Sequence, residues 1–239
     1  MIEVEICANS VQSAINAEKG GADRIELCQN LNEGGTTPSY ATIKYCAENL
    51  SLKTMVLIRP RPGDFCYNDA EYEAIKNDVL MCKGLGVHGV VIGFLDKNLD
   101  IDTTRTAEIV KLAHPMEVTF HRAFDRCRDW RIALEQIIEC GCDRILTSGQ
   151  RKTAPEGADN LREIQKQANG RIKILAGSGV NSQNAADLIR TTGVSEVHSS
   201  CKHTVENLQK THIEDSSRYG ESDLKEIKKL VLSVAKANN

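Results

Sequence analysis

Short β-branched runs alternate with amphipathic stretches along almost the whole 239-residue chain. That alternation restricts the fold to βα units built on a parallel sheet. The pattern predicts eight strands, at Ile2–Cys7, Arg24–Cys28, Thr54–Arg59, Gly89–Gly93, Glu117–His121, Arg144–Ser148, Lys173–Gly177 and Glu196–Ser200. Helical periodicity fills the intervals, as over Ser10–Gly20, Asp69–Leu85 and Arg131–Cys140. In the second of these Tyr72, Ile75, Val79 and Cys82 recur at three- and four-residue steps. A final predicted helix near Asp223–Ala235 completes the eighth unit.

An internal echo supports this count. Gly21-Ala22-Asp23, Gly86-Val87-His88, Gly141-Cys142-Asp143 and Gly193-Val194-Ser195 each stand between a predicted helix and strands two, four, six and eight. Glycine at that point fits the left-handed residue that ends a helix before a short loop. Intervals of 65, 55 and 52 residues then read as four βαβα modules. The expected fold is α/β, a single (β/α)8 barrel of the TIM type over residues 1–239. An open doubly wound sheet is disfavoured because no Gly-x-Gly-x-x-Gly follows the first strand. The polar segment Cys201–Glu221 reads as a long excursion before the last helix.

Composition narrows the function. Thirty basic against 33 acidic residues offer no positive field to a phosphate backbone, so nucleic acid is not expected as a partner. No apolar run reaches membrane-spanning length, and Met1-Ile2-Glu3-Val4-Glu5 carries acids where a signal peptide would be basic. Nine cysteines, an odd number without a Cys-x-x-Cys, point to reduced thiols and a cytoplasmic location rather than to a disulfide framework or a zinc ribbon.

In such a barrel, chemistry belongs at the carboxyl ends of the strands. Glu5-Ile6-Cys7 and Glu26-Leu27-Cys28 repeat one tripeptide form on the first two strands, and period-two alternation points both acids and both thiols inward. At this point the chain resembles the CutC copper-homeostasis proteins along essentially its whole length. The likeness is carried by Val4-Glu5-Ile6-Cys7, Gly20-Gly21-Ala22-Asp23-Arg24-Ile25-Glu26-Leu27-Cys28, Gly34-Gly35-Thr36-Thr37-Pro38-Ser39 and Ile58-Arg59-Pro60-Arg61. It continues through Gly63-Asp64-Phe65, Thr119-Phe120-His121-Arg122-Ala123-Phe124-Asp125, Leu146-Thr147-Ser148-Gly149 and Glu196-Val197-His198. Pro62 stands where the family's Arg-Pro-Arg-Gly-Gly-Asp-Phe stretch has glycine, which leaves the shape of that loop open. The resemblance implies a TIM barrel, a cytoplasmic location, a homo-oligomer (dimer or tetramer), and Cu(I) handling through Cys7 and Cys28.

Read on their own, the two thiols suit Cu(I), but they also fit a disulfide or plain packing. A second set argues for catalysis: Glu5, Glu26, His121, Asp125 and His198 as acid–base groups, with His121 paired to Glu5 or Glu26. Arg59 and Arg122 would clamp a carboxylate or phosphate. Gly177, Ser178 and Gly179 after strand seven, with Ser199 and Ser200 after strand eight, would cradle a phosphate. No lysine stands at the carboxyl end of a predicted strand, so a Schiff-base aldolase is not expected. The copper reading therefore has an enzymatic alternative, acid/base chemistry on a small anionic, phosphorylated or carboxylated metabolite. A third alternative is that the mouth is a structural ion-pair layer.

Overall fold

The apolar runs pair side by side in chain order, each parallel to the next. The computed structural model describes residues 2–205 and 219–237. Its strands are β1 (Glu3–Ala8), β2 (Arg24–Leu27), β3 (Lys53–Leu57), β4 (Gly89–Ile92), β5 (Glu117–Phe120), β6 (Arg144–Thr147), β7 (Lys173–Gly177) and β8 (Glu196–Ser199). They close as β1 to β8 in sequence, with β8 pairing back onto β1. The helices are α1 (Val11–Gly20), α2 (Tyr40–Asn49), α3 (Asp69–Gly84), α4 (Thr103–Ala113), α5 (Trp130–Glu139), α6 (Ala158–Ala168), α7 (Ala185–Thr192) and α8 (Leu224–Ala237). The result is the expected (β/α)8 barrel. Gly21, Gly86, Gly141 and Gly193 all adopt left-handed φ between 70° and 84°, so the echo marks a backbone requirement that a β-carbon would strain.

Strand ends retract slightly from the predicted runs, because the ladder stops where the chain must turn. His121, for example, still donates its N–H to Ile92 O, but its ring then caps a 3-10 turn over Arg122–Arg126 by accepting from Ala123 N. The polar excursion begins and ends as an antiparallel pair, β9 (Lys202–Val205) and β10 (Tyr219–Ser222). Its remainder, 206–218, lies outside the described residues.

Outward strand residues such as Val4, Ile6, Ile25 and Leu27 form one apolar core with the buried helix faces. The barrel interior is different, because its lower half is ionic. Arg24 and Arg144 enter at the starts of β2 and β6 and are almost wholly buried. Arg24 donates to Glu3 (2.7 Å), Glu196 (2.6 Å) and Glu5; Arg144 donates to Glu196, Glu117 (3.2 Å) and Thr119 Oγ1 (3.2 Å). Lys173 reaches Glu196 at 3.3 Å from the rim. The structural ion-pair layer is thus real, but it occupies the floor of the barrel rather than its mouth.

Such a layer holds only while every charge keeps its partner. Arg24→Met should therefore destabilise the fold by about 3–5 kcal/mol, read from urea or guanidinium denaturation. A loss within about 0.5 kcal/mol would contradict the layer's role. Acid should act on the same groups. Burial works against the Glu5 charge, but Arg24 and the His198 hydrogen bond overcome it and hold its pKa at about 2, against 4.5 for an ordinary glutamate. A group depressed in the folded state contributes stability that is complete above its unfolded pKa and is lost as pH falls. The unfolding free energy should decline from pH 4.5 towards 2, more steeply in the wild type than in Glu5→Gln.

Candidate functional site

The register of β1 on β2 sets the site's levels. Glu5 lies opposite Arg24 and Cys7 opposite Glu26, so the two similar tripeptides are offset by two residues. Glu5 therefore belongs to the ionic floor. Glu26 and Cys7 share the level above it, and Cys28 rises above them. Over this floor opens a cavity of about 650 Å³.

On the β1, β2 and β8 wall, Cys7 Sγ and Cys28 Sγ lie 3.6 Å apart, both almost fully buried and both free thiols. They rest on an apolar bed of Met55, Leu57 and Val91. The ligand atoms of Cys7, Glu26 and His198 lie within 4.8 Å of one another. His198 Nδ1 contacts Glu5 Oε1 at 2.7 Å, and its Nε2 stands 3.7 Å from Glu26 Oε2. Burial opposes a proton on His198, yet the Glu5 hydrogen bond and the charges of Glu26 and Glu5 outweigh it and raise its pKa. Burial raises Glu26, with the Glu5 charge adding to it and His198 opposing. The hydrogen bond to Cys28, then burial and the Glu26 charge, push the Cys7 thiol well above its ordinary value.

The facing wall comes from the end of β5, and the end of β3, next to β2, joins it to the thiol side. Arg59 is buried and donates to the carbonyls of Gly35 (2.7 Å), Glu33 (3.1 Å) and Gly63 (3.1 Å), while its guanidinium stacks on Phe65. Gly63 takes φ of 98°, and the loop carrying Pro62 closes over Arg59 in this way. His121 does not meet either predicted carboxylate. Burial and the charges of Arg59 and Arg126 lower its pKa to about 3, so it is a neutral imidazole at physiological pH. The histidine with acid partners is His198.

Eleven of the sequence-predicted site residues line the cavity: Cys7, Glu26, Cys28, Arg59, His121, Arg122, Ser178, Gly179, His198, Ser199 and Ser200. Glu5, Asp125 and Gly177 do not. Asp125 instead brackets the β6 loop, accepting from Thr147 Oγ1, Ser148 N, Gln150 N and Arg122 Nε. Gly177 is a spacer, since a β-carbon there would lie 2.5 Å from Leu146 Cδ1 and 3.2 Å from His198 Cβ. The serine hydroxyls of the expected phosphate cradle are engaged: Ser178 donates to Lys152 O and Ser199 to Val180 O. Glu226 accepts from the nearby Ser182 N–H. Sequence reasoning missed Phe65, Leu146, Cys201, Lys202 and Glu226, which reach the cavity from loops, β6, the start of β9 and the last helix.

Fold and site together define a (β/α)8 barrel whose carboxyl-end mouth presents two adjacent thiols, an imidazole and a carboxylate. Residues 2–203 match the CutC family. A CutC family protein of Bacteroides thetaiotaomicron is 45% identical over 238 residues, covering 99% of this chain and 96% of the relative. One from Parabacteroides distasonis is 50% identical over 203 residues, 84% of each chain. The structure of CutC from Streptococcus agalactiae superposes with a TM-score of 0.80 at 33% identity, covering 84% of this chain and 99% of that one. The protein belongs to the CutC family. Phosphoribosylanthranilate isomerase from Pyrococcus furiosus, at TM-score 0.61 and 14% identity, shares the barrel fold alone.

The thiol environments differ enough to test. Cys66 is exposed, whereas Cys7 and Cys28 are buried and Cys7 holds its proton tightly. Iodoacetamide at pH 7 should alkylate native Cys66 and spare Cys7 and Cys28 until denaturant is added, as read by peptide mass spectrometry. Equal native labelling of Cys7 and Cys66 would contradict the buried pair.

Proposed function

We propose that this CutC-family protein acts in copper homeostasis by holding Cu(I) between Cys7 and Cys28, as a cytoplasmic homo-oligomer. The observation that carries the reading is the 3.6 Å sulfur–sulfur contact on the cavity wall. Two thiolates bound to one ion at about 2.3 Å each can stand up to about 4.6 Å apart, so the pair spans an ion with little adjustment. A disulfide needs about 2.05 Å between sulfurs, and the contact here is that of two separate thiols. Soft donors favour Cu(I) over hard cations such as magnesium or calcium, which take oxygen ligands. Nine free thiols suit a reducing compartment.

His198 adds to the site. Its Nδ1 is occupied by Glu5, which leaves Nε2 on the side of Glu26, in the cluster that also holds Cys7. A carboxylate behind a histidine fixes the ring and its tautomer in metal sites generally. Binding requires the thiols to lose their protons, and the neighbouring carboxylate compensates the incoming positive charge.

Anaerobic titration of the reduced protein with Cu(I) against a competing chelator should give one tight site per chain. Cys7→Ser/Cys28→Ser should weaken it at least a hundredfold, and Glu5→Gln about 10- to 100-fold through loss of ring orientation. Zinc is the competing ion for a set of two cysteines, a histidine and a glutamate, so a parallel zinc titration belongs in the experiment. Unchanged Cu(I) affinity in the double variant, or tighter zinc than Cu(I) binding under the same competition, would overturn the proposal.

A further inference from the structure

A metal ion accounts for one wall of a cavity of about 650 Å³ and leaves the rest of the space, and the facing wall, without a role. That volume is within the range of small-molecule sites, roughly 300–1,000 Å³. The facing wall carries an unusual imbalance. His121 Nδ1 accepts from Ala123 N, so the proton of the neutral ring resides on Nε2. This N–H is buried and has no hydrogen-bond partner among the described residues, and the residue, only 5% exposed, lines the cavity. Beside it, Arg59 is 4% exposed and is held by three backbone carbonyls, with no carboxylate in ion-pair contact among the described residues. Arg126 stacks on the same Phe65 ring as Arg59. A buried cation without a counter-charge is costly, and carbonyl dipoles do not supply the missing negative charge.

We propose that this wall binds a small organic oxyanion, a carboxylate or phosphate monoester, which accepts a hydrogen bond from His121 Nε2–H and balances the charge of Arg59. Water would satisfy the N–H but not the charge. Leu57, Phe65 and Leu146 line the same cavity and give an apolar surface for the ligand's carbon skeleton, which distinguishes an organic anion from a bare one. Arg122, half-exposed and anchored by Asp125 and Ser148, stands at the cavity as a second cation. His121, at the end of β5, stands across the barrel from β1 and Cys7, while Arg59 ends β3 next to β2; neither is among the clustered ligand atoms of Cys7, Glu26 and His198, so the site does not depend on the metal reading.

Isothermal titration of the full chain with succinate and with glycerol 3-phosphate, at ionic strength matched by chloride, tests this. Saturable one-to-one binding of at least one of them is expected. His121→Phe should weaken it tenfold or more while leaving Cu(I) stoichiometry unchanged, and the stronger arm distinguishes phosphate from carboxylate. A readout on wild-type protein does not depend on that variant folding: the 15N resonance of His121 Nε2 should shift saturably on addition of the bound probe. Failure of both probes to bind above the chloride control, equal affinity in a folded His121→Phe, or an unmoved Nε2 resonance would each overturn the inference.

Discussion

The Glu5 carboxylate is the point on which floor and mouth both depend. Through Oε2 it accepts from Arg24 in the ionic layer, and through Oε1 it meets His198 Nδ1 in the level above. Charge-assisted hydrogen bonds of this kind fix geometry as well as energy. The imidazole that faces the thiols is therefore oriented by the same side chain that neutralises a buried guanidinium. A charge lost from the floor would leave Glu5 free to turn, and the change would reach the site through a single residue.

The floor has a symmetry that explains why the mouth is lopsided. Glu3, Asp23 and Arg24 on the β1–β2 side correspond to Glu117, Asp143 and Arg144 on the β5–β6 side. Asp23 and Asp143 each accept a strand N–H, from Val4 and Val118 respectively, at the same 2.8 Å. Both arginines converge on Glu196. One level higher the halves part company: Glu5 corresponds to Thr119 and Cys7 to His121, while Glu26 corresponds to Leu146 and Cys28 to Ser148. The repeated floor supports two different walls, one rich in soft and anionic groups and the other in cationic and neutral donors.

This division also explains what could be read from the sequence. The strands, the helices and the left-handed glycines depend on local periodicity and backbone conformation, so they were legible residue by residue. Inward alternation of Glu5, Cys7, Glu26 and Cys28 was legible for the same reason. The two-residue offset between β1 and β2 was not, because register depends on strand tilt around a closed barrel, and it moved Glu5 from the mouth to the floor. The pairing of histidines was lost likewise, since it depends on neighbours several strands apart: His198 took the acids assigned to His121. Arg24 and Arg144 did carry a signal, as the Gly-x-Asp echo continues into arginine at both places. Phe65 carried a signal only as part of the Gly63-Asp64-Phe65 motif, and Lys202 and Glu226 had none, since the excursion after β8 and the final helix bring them to the cavity.

A barrel that served only to hold one ion between two thiols would have no use for an open volume of several hundred cubic ångströms, nor for a buried arginine with no carboxylate in ion-pair contact among the described residues. Packing would fill such a space at a gain of about 25 cal/mol for each Å² of apolar surface removed from water. Leucine or phenylalanine at Arg59 would remove the buried charge at the same time. The sequence instead retains polar groups on both walls, with Leu57, Phe65 and Leu146 lining the same cavity. Thiols and an imidazole, and beyond them a guanidinium with an imidazole N–H that has no partner among the described residues, make a site with two chemistries in one enclosure. Were an ion and an anion to occupy this cavity together, each would alter the field at the other, and the two proposed binding events would be coupled through its electrostatics.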